Sequence, residues 1–117
     1  MGFAYYGNYL AWFETGRTEL IRASGFSYRE MEDAGYMLPV TEASCSYHAP
    51  AHYDDLVTIR TSVLDFRGIR LSFRYEIIRD GKTLAEGSTS HAFMDADGRP
   101  RRLSPDMRKR LEDALGE

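Results

Sequence analysis

At 117 residues the chain has room for one hydrophobic core, so residues 1–117 read as a single domain. Apolar residues at 43% and charged residues at 28% describe an ordinary folded protein and exclude disorder, collagen and coiled-coil arrays. With 15 Lys and Arg against 18 Asp and Glu, the net charge of -3 supplies no positive field for nucleic acid or anionic lipid, and neither is expected as a partner.

A single cysteine, Cys45, can close no intramolecular disulfide and build no Cys-rich zinc site, which points to a reducing compartment and a cytoplasmic protein. No run approaches the roughly 18 apolar residues of a membrane span, and no signal-peptide order is present. The 13% aromatic share is crowded into Phe3, Tyr5, Tyr6, Tyr9, Trp12 and Phe13, which draws attention to the start of the chain.

In chain order, Tyr9, Phe13, Leu20 and Ile21 recur at helical spacing, with Trp12 and Gly16 between them. They predict a long helix from Asn8, as N-cap, to Ser24, with Gly25 at its C-cap. Gly16 has no side chain and predicts a close approach of that helix to a sheet. Ser27-Tyr28-Arg29-Glu30 matches a capping box and opens a short helix that stops at Gly35. After Pro39 the period becomes two, for a strand that ends near Ala49-Pro50.

Val57, Ile59, Thr61 and Val63 form the apolar face of the next strand, and Leu71, Phe73, Tyr75 and Ile77 that of the one after. Asp80-Gly81 is a type I′ hairpin signal that joins this strand to one at about 83–94. Asp97-Gly98 marks a further turn, and Ser104-Pro105-Asp106 opens a C-terminal helix. The sum is an α+β pattern: an antiparallel sheet of about four strands curled round one long helix. Such a sheet has two edges with too little Pro or Lys to blunt both, so a further strand or a second subunit should cover one.

Gly2-Phe3-Ala4-Tyr5-Tyr6-Gly7-Asn8-Tyr9, followed by Trp12-Phe13-Glu14, Arg17, Pro39-Val40 and Tyr53-Asp54-Asp55, resembles the hotdog-fold acyl-CoA thioesterases of the 4-hydroxybenzoyl-CoA thioesterase type. The resemblance covers essentially the whole chain. It implies a hotdog fold, hydrolysis of an acyl-CoA thioester to coenzyme A and a carboxylic acid, and a homodimer or homotetramer. No cofactor is implied beyond coenzyme A, which is part of the substrate. In the resembled enzymes the motif reads Asp-x-x-Gly-x-x-x-x-x-Asn-Tyr, so with Gly2 as its glycine the aspartate would lie two residues ahead of Met1, with the strand that precedes it further upstream. The expectation is a native start upstream of Met1. A non-catalytic acyl-CoA-binding module, lacking that aspartate, is the alternative, and a dehydratase or isomerase of the same architecture ranks third.

Thioester hydrolysis needs a carboxylate that attacks or activates water, together with donors for the charge that develops on the carbonyl oxygen. The unpaired N–H groups at the start of the long helix offer such donors, so Tyr6, Gly7 and Asn8 are candidate catalytic positions, with the Tyr6 N–H foremost by resemblance. Glu14 is the carboxylate within the chain that could stand in for the missing aspartate; its other reading is a surface pair with Arg17.

Gly2, Tyr5, Tyr9 and Phe13 are candidate substrate contacts, although Tyr5 and Tyr9 serve equally well as core rings. Arg67 and Arg70, which bracket Gly68 at a turn, are either a fork for the phosphates of coenzyme A or a solvated turn. His48, His52 and His91 have no metal-binding spacing, and no metal is assigned. Cys45 reads as an inert thiol, and the basic cluster from Arg99 to Arg110 as solvated surface.

Overall fold

The structure, a computed structural model, describes residues 7–23, 25, 28–51 and 56–116. Helix α1 spans Gly7–Ala23 and α2 spans Tyr28–Asp33. Strands β1 (Val40–Tyr47), β2 (Thr58–Arg67), β3 (Arg70–Arg79) and β4 (Lys82–Ala92) follow, and α3 (Pro105–Leu115) closes the chain. The four strands form one antiparallel sheet in the order β1-β4-β3-β2, which leaves β1 and β2 at its edges.

β3 supplies the floor of the core. Leu71, Phe73, Tyr75 and Ile77 alternate onto one face and are all fully buried, each worth about 1.5–3 kcal/mol in apolar transfer. The Asp80-Gly81 turn joins β3 to β4 with positive φ at both residues (50° and 77°), as a type I′ turn demands, and pairs Arg79 with Lys82. α1 lies on this floor through Phe13 and Ile21, which are also fully buried. A Cβ at Gly16 would collide with Thr61 Oγ1 and Ile59 Cγ2 of β2, so the predicted close approach is present. Gly87 of β4 is a second such gap: a Cβ there would strike the Ser44 carbonyl and the Phe13 ring.

Two expectations need correction, and one strand carries an irregularity. Asn8 lies within the first turn of α1, which is already helical at Gly7, and so does not cap it; the Ser27 capping box lies outside the described residues. In β2 Ile59, Thr61 and Val63 face inward and Leu64 outward as the alternation predicts, and a register shift between Val63 and Asp65 then turns Phe66 into the core. In the C-terminal basic cluster two guanidiniums are structural. Arg101 stacks 4.1 Å from the centroid of Tyr36 and donates to the Ala34 and Gly35 carbonyls. Arg108 lies 4.2 Å from the Phe66 ring centroid and donates to the Gly68 and Phe66 carbonyls. Arg side chains cover apolar surface with their stems while their forks satisfy carbonyls, which counting charges does not reveal.

α3 starts as its sequence implies: Ser104 Oγ accepts from the Met107 N–H at 3.3 Å, Pro105 follows, and Gly116 ends the helix in the left-handed region. Leu111 packs its apolar stripe into the core. No helix among the described residues is long and apolar enough to cross a membrane.

Candidate functional site

The first turn of α1 holds Gly7, Asn8 and Tyr9 and carries no acidic side chain, so the positive end of its dipole is uncompensated within the helix. Tyr6, Tyr5 and Gly2 lie outside the described residues. Tyr9 is buried, with its hydroxyl accepting from the Ala51 N–H at 3.1 Å and its ring edge-on to Trp12 and Tyr47. It ties α1 to the segment after β1. Phe13 stacks on Tyr75 with centroids 4.5 Å apart and planes 9° from parallel, a core position beneath the helix.

Beside α1, on the flank that faces β1, three cavities share their lining residues. The one nearest the helix start, about 250 Å³, is lined by Leu10, Ala43, Ser44, Cys45 and Tyr47. The next, about 300 Å³, shares Leu10 and Ala43 and continues past Ala11 and Val40 to Glu14 and Arg17. The third, about 350 Å³, shares Glu14 and Arg17 and ends among Tyr28, Met31, Glu32, Tyr36, Met37 and Leu38. Leu10 (42% exposed), Val40 (46%), Tyr47 (47%) and Met37 (49%), four large apolar side chains left open to solvent, all border this groove. Exposed apolar surface that lines a concavity marks a site of binding or association.

Arg17 is half-buried and forms no ion pair with any carboxylate among the described residues. It stands beside the Tyr28 and Tyr75 hydroxyls and near His91. Burial pushes both phenols upward in pKa, and the Arg17 charge works against that rise. His91 is fully buried, and burial, aided by Arg17, pushes its pKa down to about 4. It is therefore neutral at pH 7.

The Leu38 carbonyl, 3.2 Å from His91 Nδ1, can only accept, so Nδ1 carries the proton. Nε2 then accepts from Thr89 Oγ1 at 2.8 Å, and Thr89 in turn accepts from the Tyr75 hydroxyl at 2.5 Å. This polar thread runs from β3 through β4 to the residue before Pro39, and so it positions the start of β1. Sequence spacing alone missed it.

The Arg67 and Arg70 turn is occupied by local partners. Arg67 pairs with Asp65 at 2.7 Å and is the more exposed; Arg70 donates to Ser72 and Ser90 at 3.4 and 3.1 Å and lies 4.0 Å from Asp65. His48 pairs with Glu86 on the outer sheet face at 3.0 Å, and His52 lies outside the described residues. Among the described residues no three His, Cys, Asp or Glu side chains gather to hold a metal ion. Burial raises the Cys45 pKa above its ordinary value.

Comparison with known proteins agrees with this architecture. YneP of Bacillus subtilis (strain 168) is 36% identical over 98 residues, covering 83% of this chain and 71% of that protein. The acyl-CoA thioester hydrolase YbgC of Escherichia coli O157:H7 is 32% identical over 83 residues, 71% of this chain and 62% of its own length. The crystal structure of a DHNA-CoA thioesterase from Staphylococcus aureus superposes with a TM-score of 0.91 at 33% identity, covering 99% of this chain and 81% of that one. The fold is thus the hotdog fold that the resemblance implied. Residues 1–111 match the family model of the thioesterase-like superfamily, and the chain belongs to that superfamily.

Proposed function

We propose that this protein hydrolyses an acyl-CoA thioester, releasing coenzyme A and a carboxylic acid. The observation that carries the reading is the agreement in sequence and fold along the chain with proteins named as acyl-CoA thioester hydrolase and DHNA-CoA thioesterase. The thioester carbonyl sits at the start of α1, where unpaired N–H groups meet the oxygen as it gains charge; one such donor lowers the barrier by about 3 kcal/mol. The Tyr6, Gly7 and Asn8 N–H groups are assigned there, and no acid in the first turn competes for them.

Glu14 is the carboxylate assigned to activate water, since it lines the groove beside α1. Gly2, Tyr5, Tyr9 and Phe13 are assigned to shape the surroundings of the acyl group, Tyr9 and Phe13 from behind. Arg67 and Arg70 are assigned to the phosphates of coenzyme A, for which they must release Asp65 and the serines. No cofactor takes part in the reaction as written.

A second copy of the chain covers the free side of β1 and the apolar rim formed by Leu10, Val40 and Tyr47, making a homodimer or a homotetramer. A cytoplasmic location is part of this reading, supported by Cys45, which as a single cysteine can close no disulfide within the chain. The test is incubation with a panel of acyl-CoA thioesters and a thiol-trapping dye. Thiol release above the uncatalysed rate is the expected result. No release from any thioester, either by this chain or by one carrying residues upstream of Met1, overturns the hydrolase reading; binding without release would instead identify an acyl-CoA-binding module.

A further inference from the structure

The cavity of about 350 Å³ is bounded by α1 on one side and α2 on another. Most of its lining is apolar or aromatic: Tyr28, Met31, Tyr36, Met37, Leu38 and Pro39. The charged remainder is Glu14, Arg17 and Glu32, two carboxylates against one guanidinium that already meets the Tyr28 and Tyr75 hydroxyls. Such a lining repels the phosphates of coenzyme A and favours an apolar acyl group. A space of about 150 Å³ suffices for a benzene ring, so this chamber has room for an acyl group of medium size. Glu14 also lines the neighbouring cavity, and a thioester within its reach therefore stands at the mouth of the chamber.

Most of the apolar lining is held in place or turned to solvent. The Tyr36 ring lies under Arg101, and its hydroxyl accepts from the Ser104 N–H at 3.0 Å. Tyr28 is held by Arg17, and the Leu38 carbonyl accepts from His91. Met37 is half exposed, with its N–H and carbonyl both bonded to Met94. Met31 differs, because it is the buried residue of α2 and has no polar group to tie its side chain to a partner. An unbranched thioether adapts to irregular space, so the size of this side chain decides how deep the chamber is.

We infer that the chamber between α1 and α2 receives the far end of the acyl group, and that Met31 sets the length of acyl chain the site accepts. This rests on the thioesterase reading above and names a specificity-determining residue of the same site. Met31 meets the terminal carbons and takes no part in the chemistry, so replacing it changes which thioester is preferred.

The test measures kcat/KM along the straight-chain series from butyryl-CoA to dodecanoyl-CoA for the native chain, Met31→Ala and Met31→Phe. Met31→Ala is expected to move the optimum up by about two carbons and to raise the ratio of longer to shorter thioester about tenfold, the scale of one methylene in an apolar pocket. Met31→Phe should move the optimum down. Lost packing lowers the rate on every member alike, so the ratio separates a length determinant from a merely structural residue. Any other pattern overturns the inference, whether a profile of unchanged shape or a shift in the same direction in both variants. Met31→Val, a smaller deletion, replaces Met31→Ala should the latter fail to fold. Should no thioester be hydrolysed, the hydrolase reading fails by itself. Calorimetric titration of the native chain and Met31→Ala with hexanoyl-CoA and decanoyl-CoA then decides the inference: a Kd ratio that moves toward decanoyl-CoA in the variant supports it, and any other result, absence of binding included, overturns it.

Discussion

The two flanks of α1 are built to different standards. On the flank toward β2 and β3, Gly16 lets the helix touch Thr61 and Ile59, and Phe13 lies flat on Tyr75 above a gap left by Gly87. On the flank toward β1, cavities run beside Leu10, Glu14 and Arg17, and large apolar side chains stay open to solvent. One helix thus anchors the fold with one side and leaves the other unfilled. Close packing is what protein interiors ordinarily reach, so the unfilled side marks where a ligand or a second subunit belongs.

The contrast can be broken first from the packed side. Gly16→Leu forces a side chain into space held by Thr61 and Ile59, and a loss of about 3 kcal/mol is expected by denaturant titration; an unchanged midpoint would contradict the contact. Acid should act on the thread that pins β1. His91 binds a proton near pH 6.5 when unfolded and only near pH 4 when folded, so its contribution is intact above about pH 6.5 and lost as pH falls toward 4. The full effect is about 3 kcal/mol. Unfolding curves collected between pH 7 and pH 4 should show a shallower slope for His91→Leu than for the native chain.

From the open side, Glu14→Gln is expected to slow thioester hydrolysis about a hundredfold with little change in Tm, because the residue is exposed and forms no ion pair among those described. A variant of native rate would remove Glu14 from the chemistry. Thr61 Oγ1 is buried beneath Gly16 with no hydrogen-bond partner among the described residues, so Thr61→Val should raise stability by about 1 kcal/mol. A loss of stability on that change would reveal a hidden partner. The smallest effect is expected at the turn between β2 and β3: Arg67→Ala should raise KM severalfold with kcat nearly unchanged, whereas a loss confined to kcat would argue against a phosphate contact.

Features that rest on neighbours in sequence were legible in advance. The alternation of Leu71, Phe73, Tyr75 and Ile77, the Asp80-Gly81 turn and the Ser104-Pro105 helix start each depend on a few adjacent residues, and each stands where the pattern put it. Gly16 was legible because a glycine on an apolar helix face has few other uses. What escaped depends on distant partners: Gly87 beneath Phe13, the bulge that returns Phe66 to the core, and the hydrogen bond from His91 to a carbonyl 53 residues away.

The candidate site was partly legible. Glu14 and Arg17 were visible as a spaced pair on α1, but their sharing of two cavities required β1 to be laid beside the helix. Arg67 and Arg70 were visible as cations, whereas their engagement by Asp65, Ser72 and Ser90 follows from strand pairing. Tyr6, Tyr5 and Gly2 rest on the motif, since they lie outside the described residues.

The bonds that join Tyr75, Thr89, His91 and Leu38 all point the same way, and a joint with a sense of direction behaves like a key in a lock. Losing its first link, as in Tyr75→Phe, leaves the later links their donors. Losing the middle one, as in Thr89→Val, leaves His91 Nε2 without its donor and the Tyr75 hydroxyl without its acceptor. The wall of the groove at Leu38 is thus held by the last link of a graded chain, the one from His91, which depends on Thr89 directly and on Tyr75 only at second hand.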